Sequence, residues 1–345
     1  GTMTPESWWI LGLQLFGIGC IATALVVYFL RNLMCRAHTD PAGKTILVTG
    51  CDTGLGFCVA KYFDKMGMRV FAGCLNPDSL GAMRLQVECS PRLTLIALDV
   101  AKEDQIIAAK DYISKHLPTG ENGLWAVVNN AGVCVCGELD WITPNQIQRQ
   151  VDVNLVGTIR VSKEFIRLLK PTKGRFINVS SVAGLYGYPG LAVYSSTKHG
   201  VEGFSSGLRH ELRKFGIDVV VLEIGDFTQA TELLSEHHRN MNEMWDKMDD
   251  LTRRDYESHF KTYHNNAARY GPDVFRRRVH TKLPQNFLKS MEDAMLSSQP
   301  LSRYLILPRL ETRIKFALLS QLPRDIADYI VGRDYRNRMS KICDV

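Results

Sequence analysis

Two patterns of apolar and polar positions divide the chain. From Trp8 to Leu30 the run is apolar, with Gln14 and Thr23 as its clearly polar members. At about 1.5 Å of rise per residue, a helix of this length reaches across a hydrocarbon core of roughly 30 Å. Trp8 and Trp9 stand at one end and Tyr28 near the other, where interfacial aromatics belong. Arg31 and Arg36 follow, while Glu6 is the one charge before the run, which places the bulk of the chain on the cytoplasmic side. A cleaved signal peptide is the alternative, but the run is long for one and lacks a basic start and an A-x-A-like site. Beyond Gly43 the pattern changes. Short β-rich apolar runs, Thr45–Thr49, Arg69–Cys74, Leu93–Leu98, Trp125–Asn129, Phe176–Val179 and Val219–Leu222, alternate with helical stretches. Strands separated by helices predict an α/β fold with a parallel sheet and crossover helices on both faces.

This predicts a tag scar and N-terminal tail over residues 1–7, a transmembrane anchor over 8–30, a linker over 31–43 and one domain over 44–310. Residues 311–345 follow as an apolar helix and a basic tail. Leu305-Ile306-Leu307-Pro308 reads as a last strand. The helix at Ile314–Leu319 is too short to span a bilayer; it dips into the membrane surface or packs at a subunit contact. The segment 229–295 mixes charge with Met241, Met244, Trp245, Met248, Tyr256, Phe260 and Tyr263. It reads as two or three amphipathic helices with a few core anchors, as a lid over a site, or as both.

Composition narrows the class. A chain of 345 residues, 45% hydrophobic, buries a core that needs no disulfide or metal staple. The nine cysteines form no disulfide framework and no zinc spacing, so inert thiols in a reducing compartment and no metal are expected. Cys134-x-Cys136 is either a redox pair or two neighbouring core or pocket positions. The net charge of +6 comes from mixed signs with no basic stripe interleaved with aromatics, which speaks against nucleic acid. Arg333, Arg336, Arg338 and Lys341 form a solvated tail or a contact for anionic head groups.

The first strand leads into Thr49-Gly50-Cys51-Asp52-Thr53-Gly54-Leu55-Gly56, with a helix starting near Leu55. Glycines at 50, 54 and 56 let the backbone approach a pyrophosphate, and the helix N-terminus offers it free N–H groups. The fold class expected is thus a Rossmann-like doubly wound parallel sheet. The second strand ends in Gly73-Cys74-Leu75-Asn76, without an acid for a ribose hydroxyl or an Arg for a 2′-phosphate. Asp52 would repel a phosphate, which favours NAD over NADP. Asp99 touches the adenine or caps the helix near Lys102. Asn129-Asn130-Ala131-Gly132 closes the fourth strand, a close approach to a cofactor or a plain turn. Asn154 falls in a helical pattern from about Pro144 to Leu169.

Asn178-Val179-Ser180-Ser181 closes the fifth strand, and Tyr194-Ser195-Ser196-Thr197-Lys198 follows on a helix. Positions i and i+4 share a face, so Lys198 sits beside Tyr194. A close ammonium lowers a tyrosine's ordinary pKa of ~10 toward a useful acid–base range. Ser181 can hydrogen-bond an oxygen on which charge develops. Together these are the parts for interconverting a carbonyl and an alcohol.

With these motifs, residues 44–310 resemble the short-chain dehydrogenase/reductase family. The resemblance implies one catalytic domain in which Tyr194 is the general acid/base. Lys198 tunes it and binds the nicotinamide ribose, Ser181 orients the substrate, and Asn154 serves a proton relay. It implies a nicotinamide cofactor along Gly50, Asp52, Thr53, Gly54, Leu55, Gly56, Leu75, Asp99, Val100, Asn130, Ala131 and Gly132. Tyr194, Lys198, Gly225, Phe227 and Thr228 complete that set. Phe71-Ala72-Gly73-Cys74-Leu75 and Gly123-Leu124-Trp125-Ala126 are similar to one branch, that of membrane-bound retinol dehydrogenases, the microsomal 17β-hydroxysteroid dehydrogenase of type 2 and D-3-hydroxybutyrate dehydrogenase. Its members are often dimers or tetramers. Ile224 stands where the family commonly has proline, which loosens the loop near the carboxamide.

The stretch Val182–Val193, including Val182, Leu185, Tyr188 and Leu191, holds no Arg, Lys or His, and Val133, Val135 and Leu139 opposite are apolar. A short hydroxy acid needs a cation for its carboxylate. The pocket therefore favours a lipophilic secondary or allylic alcohol, a steroid or retinoid, over 3-hydroxybutyrate, unless a cation arrives from 229–295. The competing class is a non-catalytic, membrane-tethered dinucleotide-binding protein, which would be expected to lose Tyr194 or Lys198. A single-pass endoplasmic reticulum protein with a cytosolic domain is expected; the inner mitochondrial membrane is the alternative.

Overall fold

A computed structural model of the chain describes residues 5–33, 37–225, 231, 233–268, 285–307, 310–319 and 321–343. Two compact units divide it, Gly1–Thr39 with Ser297–Gln299, and Asp40–Leu296 with Pro300–Val345. In the first unit one helix, α1, runs over Pro5–Leu33. Trp9, Leu13, Leu15, Ile18, Ile21 and Val26 are all exposed on it. At 3.6 residues per turn they cover every side of the helix. Thr23 turns its hydroxyl back to the Gly19 carbonyl at 2.8 Å, so this polar side chain is satisfied within the helix. Among the described residues, no helix is long and apolar enough to cross a membrane. The expected span over 8–30 is therefore not seen as such, and several of its side chains, Trp8 and Tyr28 among them, lie outside the described residues.

The second unit is built on a parallel sheet of β1 (Thr45–Thr49), β2 (Arg69–Cys74), β3 (Leu93–Ala97), β4 (Ala126–Asn129), β5 (Arg175–Ser181), β6 (Asp218–Ile224) and β7 (Arg303–Ile306), in the order β3-β2-β1-β4-β5-β6-β7. Every expected strand is present. The order reverses between β1 and β4, and that switch point opens a crevice at the strands' C-terminal ends. Alternate residues feed the two faces. Ile46, Val48, Val128 and Ile177 pack on α2 (Gly54–Lys65), α3 (Leu80–Glu88) and α10 (Gln285–Leu296). Leu47, Val127 and Phe176 pack on α4 (Glu103–Lys115), α6 (Thr158–Leu169) and α7 (Ala192–Leu212).

The long helix expected over 144–169 is three pieces. Helix α5 (Pro144–Val151) starts at a reciprocal cap between Thr143 and Gln146 with Pro144 in the first turn. A π-helical turn, Asp152–Gly157, follows before α6. Such turns free backbone groups and mark functional sites in many helices; here the turn carries Asn154. The segment expected as a lid contains α8 (His237–Lys247), α9 (Asp250–Ala268) and α10. The expected apolar helix is α11 (Leu310–Leu319), and the stretch expected as a basic tail is itself a helix, α12 (Arg324–Cys343).

Candidate active site

The turn after β1 is shaped by close packing. A Cβ on Gly56 would stand 2.1 Å from the Gly50 carbonyl oxygen and 2.5 Å from Asn130 Nδ2. Gly50 has φ of +70°, and a Cβ there would meet the Ala131 Cα at 2.9 Å. Any larger side chain would push the turn out of the crevice. Thr53 caps α2 without a side-chain hydrogen bond, so the N–H groups of the first turn keep the capacity to hold an anion. The residues fit a dinucleotide: a narrow backbone cradle, an unblocked helix N-terminus, and the switch-point crevice.

Three expected cofactor contacts also have internal partners. The Asp52 carboxylate accepts from Leu75 N at 2.8 Å and Asn76 N at 2.9 Å, tying the glycine turn to the end of β2. Asn130 Nδ2 donates to Thr49 O at 2.8 Å and Gly50 O at 3.2 Å, locking β4 to β1. Asp99 accepts from Ala101 N at 3.0 Å; it organises the turn before α4, whose capping position is Lys102.

The chemical residues converge at the ends of β5 and α7. Tyr194 is buried, 8% exposed, and lies near Ser181, the last residue of β5. Lys198 Nζ donates to the Val179 carbonyl at 3.0 Å and stands 5.7 Å from the centre of the Tyr194 ring. Asn154 grips the backbone of Val133 at both ends, Oδ1 accepting from its N–H at 2.8 Å and Nδ2 donating to its carbonyl at 2.9 Å. Its Nδ2 also reaches Thr197 Oγ1, one turn from Tyr194, at 3.1 Å.

The electrostatics differ from the expected tuning of Tyr194 by Lys198. Burial pushes the Tyr194 phenol well above its ordinary range, with Cys134 adding to the shift and the Ser181 side chain opposing it. The same dry surroundings depress Lys198 to about 8. Both groups lie in one desolvated wall, where removal from water outweighs their mutual stabilisation. The protein alone therefore holds Tyr194 as a neutral phenol and proton donor at neutral pH.

A cavity of about 1060 Å³ runs from the glycine turn past Tyr194 to the C-terminal helices. Gly50, Asp52, Thr53, Gly54, Leu55, Leu75, Asp99, Val100, Asn130, Ala131, Gly132 and Gly225 line it on the cradle side. Ser181, Tyr194, Lys198, Val133, Val135, Val182, Tyr188 and Leu191 line it further on. Gly56 and Asn154 lie behind the wall and shape it. Two expected pocket residues do not reach it. Leu139 is 63% exposed on the loop beyond Cys136, and Leu185 packs with Tyr186 and Leu307 beside α11. Sequence alternation could not tell the two faces of these loops apart. Phe227 and Thr228 lie outside the described residues.

The far end of the cavity was not anticipated. Leu233 and Leu234 precede α8, and Leu307, Phe316, Leu319 and Val331 come from the chain after β7. Phe316 and Leu319 turn inward from α11 while Ile314 and Leu318 are exposed on it. The three-residue spacing of 316 and 319 was the available signal. Helix α8 meanwhile buries Met241 and Met244 against Val135, Trp141 and Ile142, so the methionines anchor that helix and do not line the cavity. Arg149 and Lys315 also reach the wall, and Arg149 is paired with Glu236 at 2.8 Å.

The profile of the family described as short chain dehydrogenase matches residues 44–242. Mitochondrial D-beta-hydroxybutyrate dehydrogenase of Bos taurus is 36% identical over 274 residues, 78% of each chain. The Homo sapiens short-chain dehydrogenase/reductase family 9C member 7 is 34% identical over 303 residues, 87% of this chain and 92% of its own. The 17-beta-hydroxysteroid dehydrogenase type 6 of Bos taurus is 34% identical over 320 residues, 91% of this chain and 96% of its own. A solved short-chain dehydrogenase from Streptomyces avermitilis superposes with a TM-score of 0.50 at 26% identity, covering 53% of this chain and 67% of that one. The chain belongs to the short-chain dehydrogenase family of oxidoreductases. Within it, the chain falls in the branch that holds hydroxybutyrate, 17-beta-hydroxysteroid and retinol dehydrogenases.

Proposed function

We propose that this chain interconverts a lipophilic secondary or allylic alcohol, of the steroid or retinoid class, with its carbonyl, using NAD(H). The observation that carries the substrate class is the far end of the cavity, where Leu234, Leu307, Phe316, Leu319 and Val331 present an apolar surface beyond Tyr194. Among the described residues of the 229–295 segment, those lining the cavity are Thr231, Leu233, Leu234, Ser235, Glu236 and Asn240, none of them a cation. NAD, held along the glycine cradle, would supply the hydride acceptor and a positive charge. In carbonyl reduction the neutral Tyr194 gives its Oη proton to the oxygen, and in alcohol oxidation it takes the hydroxyl proton as its phenolate; Ser181 holds the substrate oxygen against it. Lys198, through its ammonium, favours the phenolate whenever it is charged, and Asn154 fixes Val133 and Thr197 on either side of the reacting centre. Asp52 supports NAD over NADP: it places a carboxylate at the end of β2 and uses the two backbone donors there that a 2′-phosphate would need.

In this reading α1 associates with a bilayer, with its apolar side chains facing outward all round and the catalytic unit on the cytosolic face of the endoplasmic reticulum. Retention in the membrane pellet after carbonate extraction is the expected result; release into the supernatant would remove the anchor. A second reading, a short hydroxy acid as in the hydroxybutyrate relative, is favoured by Arg149 and Lys315 in the wall. The deciding experiment follows NADH formation by detergent-solubilised protein offered a hydroxysteroid panel, all-trans-retinol and D-3-hydroxybutyrate, with NADP as control. Turnover of a steroid or retinol with NAD is expected. Turnover of hydroxybutyrate alone would establish the second reading, and no turnover of any alcohol would leave a binding protein.

A further inference from the structure

Cys134 and Cys136 stand on the loop leaving β4, and both line the cavity. Their sulfurs are 3.8 Å apart. Residues i and i+2 of an extended segment project to one side. Val135 between them is pinned by a hydrogen bond from its N–H to Gln150 Oε1 at 3.1 Å and by its side chain in the lid cluster. Cys134 packs on Tyr194 and Ala183. His237, at the start of α8, is 4% exposed, lies against Cys136, and has no hydrogen-bond partner on Nε2. Alcohol–carbonyl chemistry uses none of these three groups.

We propose that Cys134 and Cys136 are a modification site, a dithiol in the substrate wall that hydroperoxides convert to a disulfide, closing the approach to Tyr194. Cys136 is the attacking thiol. Its sulfur is held toward the thiolate by the hydrogen bond from Cys134 and by His237, against the effect of burial. Burial instead raises Cys51, Cys58, Cys74 and Cys89, so those thiols are poor nucleophiles. The Cys136 sulfur attacks the terminal peroxide oxygen, the O–O bond breaks, and the departing alkoxide takes a proton to leave as an alcohol (water, for hydrogen peroxide). The Cys134 sulfur then attacks the Cys136 sulfenic acid, the S–S bond forms, and hydroxide leaves as water with the Cys134 proton. Two thiols are oxidised and one hydroperoxide is reduced. The sulfurs close from 3.8 Å to a bond of about 2.05 Å, leaving a rigid bridge in the cavity wall beside Tyr194. Only the effect on turnover rests on the dehydrogenase reading.

The test treats full-length, detergent-solubilised protein with hydrogen peroxide and maps the peptide holding both cysteines by mass. Loss of two hydrogens, resistance to alkylation and recovery with dithiothreitol are expected. Turnover should fall at least tenfold and return with the dithiol. Cys136→Ser and Cys134→Ser, each normalised to its own untreated activity, should resist. Phenylarsine oxide, which bridges paired thiols, should protect both from alkylation in untreated wild type, a check that needs no variant. Free alkylation of both thiols after peroxide would overturn the site. A disulfide formed with turnover unaltered would overturn the blocking role. A disulfide in a protein that turns over no alcohol would support the site and sink the dehydrogenase reading.

Discussion

The wall of the cavity at Gly50–Leu55 is made of backbone, whereas its wall around Leu233–Asn240 is hung on side chains. At the first, a Cβ on Gly56 would meet a carbonyl oxygen at 2.1 Å, and Asn130 and Asp52 spend their polar atoms on neighbouring strands. At the second, α8 and α9 are held by Trp141, ringed by Tyr256 at 5.5 Å, Phe260 at 5.0 Å and Tyr263 at 5.5 Å, and by buried methionines. Backbone walls admit one geometry because any added atom collides. Walls held from behind by methionine and aromatic side chains repack around different shapes. On the proposed reading the cofactor side is therefore fixed, and the lid sets the substrate range. Tyr194 lies where the two walls meet.

The largest expected effect is at that meeting point. Tyr194→Phe should lower kcat/KM by about 10²–10⁴-fold, with cofactor affinity kept, as measured by NADH formation and by binding titration. Turnover at the wild-type rate would mean that another group moves the proton. Next comes the lid. Trp141→Ala removes a 2% exposed indole and should cost roughly 3–5 kcal/mol of local stability. Hydrogen exchange should rise over 237–268 and KM for a lipophilic alcohol should increase, while NAD affinity holds. A parallel loss of NAD affinity would show that the two walls are not independent.

The converse substitution, Gly56→Ala, should weaken NAD binding at least tenfold and cost about 1–3 kcal/mol from overpacking, leaving exchange in the lid unchanged. The smallest effect is a pH slope. Lys198 is depressed to about 8 from a usual 10.5, so between those values the unfolded chain binds more protons than the folded one. Stability then rises with pH across that window, by up to about 1.4 kcal/mol per pH unit, and shows no slope from this group below pH 8. Urea midpoints of wild type minus Lys198→Met should show that slope; a flat difference would mean that Lys198 titrates normally.

What the sequence by itself determined is local or periodic. The strands followed from β-rich runs, the cradle from glycines at 50, 54 and 56, and the pairing of Tyr194 with Lys198 from one helical turn. Each rests on spacing along the chain, which backbone geometry converts directly into position. The tertiary structure alone decided the rest. It turned Leu139 to solvent, packed Leu185 beside α11, brought Phe316 and Val331 into the cavity, and set His237 against Cys136. It also decided the state of Tyr194: the sequence placed a lysine beside it, but desolvation of the whole wall governs both groups. Burial and long-range contact depend on which faces of distant elements close over a site, and spacing along a chain carries no record of that.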